Sequence, residues 1–336
     1  MVGPVTMTRW PTGASPMRRI AATRISVGIA RDLSAGGPEG AIAGVHRSAL
    51  NIRWRRGLLT IAHESIGGLP NGVLVGSWPP LDSLGLAAHM HVASDGANLV
   101  VPEASLAVAF AGAALWSPAM PVVRGLARPA VERRVASAYD VAAREAPDIG
   151  FGPLLAALSG GPPAAASTVT APAAGARLRE RAAGCLLAIA SGLRDVDVGL
   201  AIAAALPLVG LGPGATPSGD DLLVGLAAGL AATGHPLARR FADGIGRAAP
   251  GRTTLLSCAF LLHAARLEFS ERVQRAALGI LGPDAEGMGE AVRATLAWGA
   301  SSGADLLLGL LVGMAPALPG ISERLGQIRT SERTAA

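Results

Sequence analysis

Apolar and polar positions change their spacing part-way along the chain. Between residues 20 and 115, short apolar runs alternate with Gly, Pro and Asn, and Asn71-Gly72 is typical of a hairpin turn. This pattern predicts short antiparallel strands, because no stretch between them is long enough for a crossover helix. From residue 176 to 328, apolar residues recur at helical spacing. The predicted fold class is therefore α+β, with an antiparallel, sheet-like or barrel-like β-rich domain followed by a mainly α-helical C-terminal domain.

The other stretches complete a division of the chain into five parts. Residues 1–19 carry several arginines without an apolar run, which predicts a disordered leader. Residues 116–159 are predicted to be a helical connection between the domains. Residues 160–175 are rich in Pro, Ala and Gly and are predicted to be a linker or an exposed loop. Individual helices are predicted over 122–146, 176–192, 196–206, 219–233, 236–248, 252–279, 286–299 and 303–314.

Two stretches of the helical domain repeat one pattern 84 residues apart. Ser218-Gly-Asp-Asp-Leu-Leu-Val-Gly-Leu is matched by Ser302-Gly-Ala-Asp-Leu-Leu-Leu-Gly-Leu, and the shared glycines continue to Gly229 and Gly313. A glycine inside a helix costs about 1 kcal/mol against alanine. Repeated glycines spaced four apart therefore indicate a compensating close approach of two helices. The sequence predicts a pseudo-symmetric helix pair with neighbouring N-termini.

Each copy has the pattern of a helix start. Ser218 and Ser302 occupy N-cap positions, and Asp221 and Asp305 follow at the spacing of a capping box, with Asp in place of the usual Glu. A capping role for Asp221 predicts that its loss costs about 0.5–2 kcal/mol of stability. A plain capped turn does not require the second carboxylate, Asp220, and this favours a ligand site.

The loop before the first copy, residues 212–219, is predicted to gather free backbone N–H groups and to suit an anionic ligand. Three interpretations of the neighbouring acidic residues remain open. Asp220 and Asp221 hold a divalent cation such as Mg²⁺ that bridges to the anion. Alternatively, they accept hydrogen bonds from the NH₂ group of an amide-like substrate. In the third interpretation one carboxylate caps the helix and the other faces an arginine.

The candidate residues are of two kinds. The predicted catalytic residues are Asp220, Asp221 and Asp305. The predicted substrate-binding residues are Gly212, Gly214, Thr216, Ser218, Gly219, Ser301 and Ser302, together with Arg252, Thr253 and Thr254 at a third helix start and Asn51 in a loop after a strand of the β-rich domain. An arginine suits this set because its guanidinium holds a carboxylate or a phosphate through two parallel hydrogen bonds.

Composition excludes several classes of function. The net charge is +5, yet aromatic residues make up only 3% and no nucleic-acid-binding module is present, so no nucleic-acid partner is expected. The chain contains no lysine, which excludes a Schiff base and a Walker-type phosphate loop. The longest apolar runs are shorter than the roughly 20 residues of a membrane span. Cys185 and Cys258 are predicted to be buried free thiols of a cytoplasmic protein.

Four stretches of the chain resemble the DUF2877 family, which includes the AllH-type subunit of oxamate carbamoyltransferase in anaerobic allantoin breakdown. Residues 210–225 (Gly-Leu-Gly-Pro-Gly-Ala-Thr-Pro-Ser-Gly-Asp-Asp-Leu-Leu-Val-Gly) carry the specific part of the resemblance. Residues 44–51, the segment 252–257 leading to 264–266, and residues 301–309 support it. The resemblance spans most of the chain.

This resemblance implies a carbamoyltransferase subunit of purine catabolism, which transfers a carbamoyl group between phosphate and a small amide acid such as oxamate. It also implies a hetero-oligomer, because AllH-type proteins work with two other subunits. One position departs from the family pattern, since Ala300 stands where a histidine is expected before the Ser-Ser-Gly stretch. An alternative function therefore stays open, that of a non-catalytic ligand-binding or scaffold subunit of a complex.

Overall fold

The computed structural model describes residues 17–34, 39–55, 57–76, 84–159, 173–316, 318–320 and 323–326. Contacts divide the chain into two units, Met1–Ser117 and Pro118–Ala336. Most of the predicted leader and most of the predicted linker lie outside the described residues. The first strand begins at Arg18, and the helix after the predicted linker begins at Ala173.

The first unit is a closed barrel of eight strands with a ninth strand beside it. The strands are β1 (Arg18–Ser26), β2 (Glu39–His46), β3 (Ala49–Trp54), β4 (Gly57–His63), β5 (Gly72–Val75), β6 (His91–Ser94), β7 (Asn98–Val101), β8 (Leu106–Ala109) and β9 (Ala114–Trp116). They follow the order β5-β4-β3-β2-β6-β7-β8-β1, and pairing of β1 with β5 closes the barrel. The predicted β-rich, barrel-like domain is confirmed.

Most strand pairs are antiparallel, as expected, but three are parallel. β1 runs parallel to β8 and β9, and β4 runs parallel to β5. Two of these pairs involve β1, the first strand in sequence, which lies between β8 and β9 and is joined to neither by a hairpin. Alternation along β3 places Leu50, Ile52 and Trp54 in the barrel core.

Two local predictions for this unit are wrong. No helix was expected before residue 116, yet α1 (Val27–Ser34) follows β1, and its buried Ile29 and Leu33 lie four residues apart on one face. Asn51 was expected in a loop but lies within β3, where its side-chain oxygen accepts a hydrogen bond from the Thr60 hydroxyl at 2.9 Å. Asn51 therefore supports the pairing of β3 with β4.

The second unit is helical, as predicted. Its helices are α2 (Arg128–Glu145), α3 (Gly152–Leu158), α4 (Ala173–Arg194), α5 (Val198–Ala205), α6 (Ser218–Ala232), α7 (Ala238–Ala248), α8 (Leu255–Ala264), α9 (Glu271–Leu281), α10 (Ala285–Leu296) and α11 (Ser302–Met314). Cys185 on α4 and Cys258 on α8 are free thiols, but they are half-buried and not fully buried. Every helix that the structure describes is too short or too polar to cross a membrane.

The single helix predicted over 252–279 is wrong, because the chain breaks between α8 and α9. Leu267 adopts a φ of +59°, and the Phe269 N–H donates to the carbonyl oxygen of Pro118 at 2.8 Å. His263 Nδ1 lies 2.7 Å from Glu268 Oε2 across the break. A distant segment therefore competes for the backbone hydrogen bonds here, although the residues involved are good helix formers.

Candidate functional site

The repeated stretches form α6 and α11, which pack side by side in parallel. A Cβ atom at Gly225 would lie 2.0 Å from the carbonyl oxygen of Leu306, and one at Gly309 would lie 1.9 Å from that of Leu222. These contacts are reciprocal, because Leu306 and Leu222 occupy equivalent positions in the repeat. The second glycine of each copy makes a similar approach one turn later. The predicted pseudo-symmetric helix pair is confirmed.

The N-termini of α6 and α11 are neighbours, as predicted. The hydroxyl oxygens of Thr216, just before α6, and Ser302, at the start of α11, are 3.0 Å apart. The predicted capping boxes are nevertheless wrong. The N-cap positions are Pro217 and Ser301, and neither residue makes a side-chain capping hydrogen bond. Since each helix starts at the serine predicted to cap it, the acidic residues lie one position deeper in the helix.

Asp220 has both carboxylate oxygens engaged. Oδ1 accepts the N–H of Gly210 at 2.9 Å, and Oδ2 accepts the hydroxyl hydrogen of Thr253. The residue is only 1% exposed. Burial raises the pKa of Asp220, while the hydrogen bonds from Thr253 and Gly210 oppose the rise. Asp220 thus ties the loop before α6 and the segment before α8 to the start of α6.

The start of α8 joins this cluster, as the sequence suggested, but its polar groups are used within the protein. The Thr254 hydroxyl donates to the carbonyl oxygen of Ala215 at 2.6 Å and accepts the N–H of Ser257 at 3.1 Å. A hydroxyl has one hydrogen, so neither Thr253 nor Thr254 has a hydroxyl donor left for an anion. Arg252 is exposed and donates from Nη2 to the carbonyl oxygen of Leu206 at 2.8 Å.

The loop before α6 keeps free backbone donors. Gly212 and Gly214 have φ angles of +113° and +99°, and a Cβ atom at Gly214 would meet nothing within 4 Å. Within the described part of the chain, no N–H group from residue 212 to residue 218 donates a hydrogen bond to the protein. Gly219 differs, because its N–H donates to the carbonyl oxygen of Leu211 at 2.8 Å. The exposed loop therefore presents several N–H groups at a helix start, where an anion is favoured.

Asp221 and Asp305 each present one buried oxygen without a partner. Asp305 is fully buried and Asp221 is 8% exposed. Among the described residues, no hydrogen-bond donor reaches Oδ2 of either carboxyl group. A buried acceptor without a donor is costly, and such groups concentrate where a ligand or a proton completes the bonding. The two oxygens are therefore the strongest candidates for contact with a ligand.

The repeat makes the surroundings of these two residues reciprocal. The hydroxyl of Ser302 on α11 faces Asp221 on α6, and the hydroxyl of Ser218 on α6 faces Asp305 on α11. Each acidic side chain thus approaches the first residue of the other helix. The carboxyl groups are close enough for their negative charges to repel each other.

Burial raises the pKa of Asp221 to about 7. The hydroxyls of Ser302 and Thr216 oppose this rise, while the charges of Asp305 and Asp220 increase it. Burial also raises the pKa of Asp305, against hydrogen bonds led by the N–H of Phe151. Asp221 therefore exchanges a proton near neutral pH.

A third segment, which the sequence did not indicate, completes the cluster. The N–H of Phe151 donates to Asp305 Oδ1 at 2.6 Å. Gly150 has a φ of +56°, and a Cβ atom there would lie 2.6 Å from both Asp305 Oδ1 and the Cβ of Ser301. Only glycine lets the backbone pass this close. Gly150 is visible in the sequence, but nothing there connects it to a helix that begins 152 residues later.

The predicted pairing of Asp220 with Asp221 around a metal is not supported by this geometry. Both Asp220 oxygens receive hydrogen bonds from donors, so only Asp221 has a free oxygen. In the part of the chain that the structure describes, no group of three or more His, Cys, Asp or Glu side chains is placed to hold a metal ion. The acidic residues fit hydrogen-bond donors better than a cation.

The remaining candidates divide between the units. Those from Gly212 to Ser302 come together around the starts of α6, α8 and α11, whereas Asn51 belongs to the barrel of the first unit. Gly219 has a packing role, since a Cβ atom there would lie 2.1 Å from the carbonyl oxygen of Leu208. Ala300, at the position where the resemblance suggested a histidine, is exposed in the turn before α11.

Two family models match the chain. Residues 208–314 match the model described as oxamate carbamoyltransferase subunit AllH, and residues 21–115 match the AllH family N-terminal domain. The chain belongs to the AllH family. The AllH matches cover the barrel and the α6–α11 region, including every candidate residue from the sequence, whereas Gly150 and Phe151 lie outside them. No curated protein and no solved structure matches the chain.

Proposed function

We propose that this chain is the subunit of a carbamoyltransferase that binds a small amide acid, oxamate or oxalurate, together with carbamoyl phosphate or phosphate. The family match supports the carbamoyltransferase subunit. The partner subunits, the cytoplasmic location and a role in purine catabolism belong to the same proposal. The donors and acceptors at the neighbouring starts of α6 and α11 support this choice of substrate.

The loop from Gly212 to Ser218 would hold the anionic end of the ligand. Its N–H groups have no acceptor among the described residues, and it precedes a helix whose positive end favours negative charge. Either a phosphate or a carboxylate suits such a site. Since the hydroxyls of Thr253 and Thr254 are engaged, backbone donors carry most of this contact, with Arg252 close by on the surface.

The buried, unpartnered oxygens of Asp221 and Asp305 carry the proposal. An NH₂ group has two hydrogens and can donate one to each carboxyl group, which removes the cost of leaving these acceptors unpaired. Oxamate and carbamoyl phosphate share the required pattern, because each joins an anionic end to an NH₂ group. Catalysis would then consist largely of positioning the two reactants and stabilising charge on the departing phosphate.

A second candidate function is that of a ligand-binding or scaffold subunit without chemistry of its own. Ala300 favours it, because this residue stands where the family resemblance suggests a histidine. The two functions differ in turnover and not in binding. Assembly of the chain with its partner subunits, followed by an assay of oxamate carbamoylation, separates them.

A thermal-shift titration of the full chain tests the proposed site. Carbamoyl phosphate, phosphate, oxamate and oxalurate are each added with and without Mg²⁺. A ligand at a hundred times its Kd adds about 2.7 kcal/mol of stability, which is readily measured. We expect a shift that does not require Mg²⁺, because Asp220 is engaged by donors.

The matched variants are Asp221→Asn and Asp243→Asn. Asp243 pairs with Arg247 on the exposed face of α7, so its variant should keep the full ligand-induced shift. Asp221→Asn should lose the shift, because its side-chain NH₂ would point a donor at the ligand's NH₂ group. Equal shifts in both variants would place the ligand elsewhere, and no shift with any ligand would contradict binding by the chain alone.

A further inference from the structure

Asp221 and Asp305 occupy equivalent positions in the repeat, but one contact distinguishes them. Asp305 Oδ1 accepts the backbone N–H of Phe151 at 2.6 Å. Within the described residues, no backbone N–H reaches the carboxyl group of Asp221. A hydrogen bond from an N–H stabilises the charged form of a carboxyl group. This contact favours the ionised form of Asp305, and Asp221, which lacks such a contact, is the member better suited to take up a proton.

The charges that act on Asp221 are all negative. They belong to Asp305 on α11 and to Asp220 on α6 itself, and the other polar groups facing Asp221 are the hydroxyls of Ser302 and Thr216. On α8, burial and the charge of Asp220 raise the pKa of the Cys258 thiol. Because no cationic side chain among the described residues acts on Asp221 to hold it in the ionised form, Asp221 is suited to accept and return a proton.

We propose that Asp221 accepts the proton that the substrate's amide nitrogen loses during carbamoyl transfer, while Asp305 holds the second N–H of the same NH₂ group. This inference rests on the proposed function. The free, buried Oδ2 of Asp221 is the accepting atom. Phe151 is a positioning residue in this arrangement, because its N–H fixes the orientation of the Asp305 carboxylate.

The step balances without a further reactant. The amide nitrogen forms a bond to the carbamoyl carbon, and the bond from that carbon to the phosphate oxygen breaks, leaving its electron pair on the phosphate. The proton from nitrogen moves to Asp221 Oδ2. In the opposite direction phosphate attacks the carbamoyl carbon, and protonated Asp221 returns the proton to the departing nitrogen.

An amide nitrogen needs such a base, because its lone pair is delocalised into the carbonyl group and it attacks poorly while it keeps both hydrogens. A general base works best when its pKa lies near the working pH. An ordinary aspartate, with a pKa of about 3.9, is too weak a base at neutral pH. Burial raises the pKa of Asp221 to about 7, which meets this requirement.

The test is a pH profile of kcat/KM for oxamate carbamoylation by the enzyme assembled with its partner subunits. In the wild type, the rate should rise through about pH 7 as Asp221 loses its proton. Asp221→Asn should lower kcat/KM by about 10²–10⁴-fold and remove this rise. Asp305→Asn should move the rise to lower pH, since it removes a repelling charge but keeps an oxygen for the N–H of Phe151.

The matched control is Asp243→Asn, which removes a carboxyl group that pairs with Arg247 on the exposed face of α7, away from the site. It should keep the rise through about pH 7. Turnover in Asp221→Asn with an unchanged pH profile overturns the inference and leaves the proposed function standing. Absence of turnover in the wild-type complex overturns both.

A second measurement does not depend on turnover. The full-length, ligand-free chain is labelled with ¹³C at its aspartate carboxyl groups and titrated by NMR. One carboxyl signal should titrate near pH 7, and Asp221→Asn identifies it. If no aspartate titrates above pH 6, Asp221 is not the base, and the inference is overturned even in an active enzyme.

Discussion

Asp220 and Asp221 are adjacent in the sequence, yet their carboxyl groups have opposite surroundings. Asp220 accepts hydrogen bonds from Gly210 and Thr253, whereas Asp221 has a buried oxygen that accepts none from the described residues. Sequence spacing assigned the capping role to Asp221 and left Asp220 for a ligand, whereas the structure engages Asp220 and leaves an oxygen of Asp221 free. The two donors to Asp220 are the N–H of Gly210, in the loop before α6, and the hydroxyl of Thr253, which lies 33 residues further along the chain before α8.

The pH dependence of stability distinguishes a buried Asp221 from a capping one. The pKa of Asp221 is about 7 in the folded protein and about 3.9 in an unfolded chain. Between these values the folded protein binds more protons, so Asp221 destabilises it increasingly as the pH rises. We expect the free energy of unfolding of Asp221→Asn, relative to the wild type, to increase by a few kcal/mol between pH 4 and pH 7 and to level off above.

Denaturant unfolding of both proteins across this pH range measures the difference. The control is Asp197→Asn, because Asp197 caps α5 by accepting the N–H of Leu200 at 3.0 Å. Asparagine caps a helix about as well as aspartate, so that variant should differ from the wild type by less than about 1 kcal/mol throughout the range. A constant difference in Asp221→Asn as well would show that Asp221 acts as a cap and is not shifted by burial.

At the scale of helices, the glycine spacing predicted the pairing of α6 and α11, because a helix position in contact with another backbone has room only for glycine. Gly309→Ala should therefore destabilise the protein by about 3 kcal/mol or more, since the new Cβ atom would lie 1.9 Å from the carbonyl oxygen of Leu222. Gly289→Ala in α10 is the matched control. Its Cβ atom would meet the end of the Arg293 side chain at 3.6 Å, so helix propensity should add about 0.4–1 kcal/mol.

Thermal or chemical unfolding of the two variants measures both effects. If Gly309→Ala is as stable as the wild type, the two helices do not approach each other as closely as the reciprocal contacts require. If Gly289→Ala also loses stability, the loss in Gly309→Ala cannot be assigned to the helix pair alone.

Other helical features could not be predicted, because they depend on contacts between distant segments. The break between α8 and α9 exists because a distant segment forms hydrogen bonds with the backbone there. The carbonyl oxygen of Pro118 accepts the N–H of Phe269, and the N–H of Met120 donates to the carbonyl oxygen of Leu267. The contact of Phe151 with Asp305 joins residues 154 positions apart. Helix α1 is different, since the apolar spacing of Ile29 and Leu33 was present in the sequence but too short to outweigh the neighbouring strand pattern.

At the scale of the molecule, the spacing of apolar residues predicted the fold class, because apolar residues recur on the buried face of each strand or helix. Each unit has its own apolar core, built around Leu50 and Ile52 in the first and around Leu222 and Leu307 in the second. A fragment of residues 118–336 should therefore fold alone. Circular dichroism should show helix content, and denaturant unfolding should be cooperative.

The complementary fragment, residues 17–117, should fold as a β protein by the same measurements. A 118–336 fragment that is helical but unfolds without cooperativity would mean that its core is completed by the first unit. Recovery of cooperative unfolding on mixing the two fragments would confirm that dependence.

The pairing of α6 with α11 also fixes when the site appears during folding. These helices begin 84 residues apart in the sequence, and contacts across such a separation form late because the intervening chain must first be ordered. Until α11 has left the ribosome, Asp221 lacks the burial against that helix and the charge of Asp305, both of which raise its pKa. Asp221 therefore gains its raised pKa only when α11 packs against α6, and that raised pKa is a sign that folding is complete.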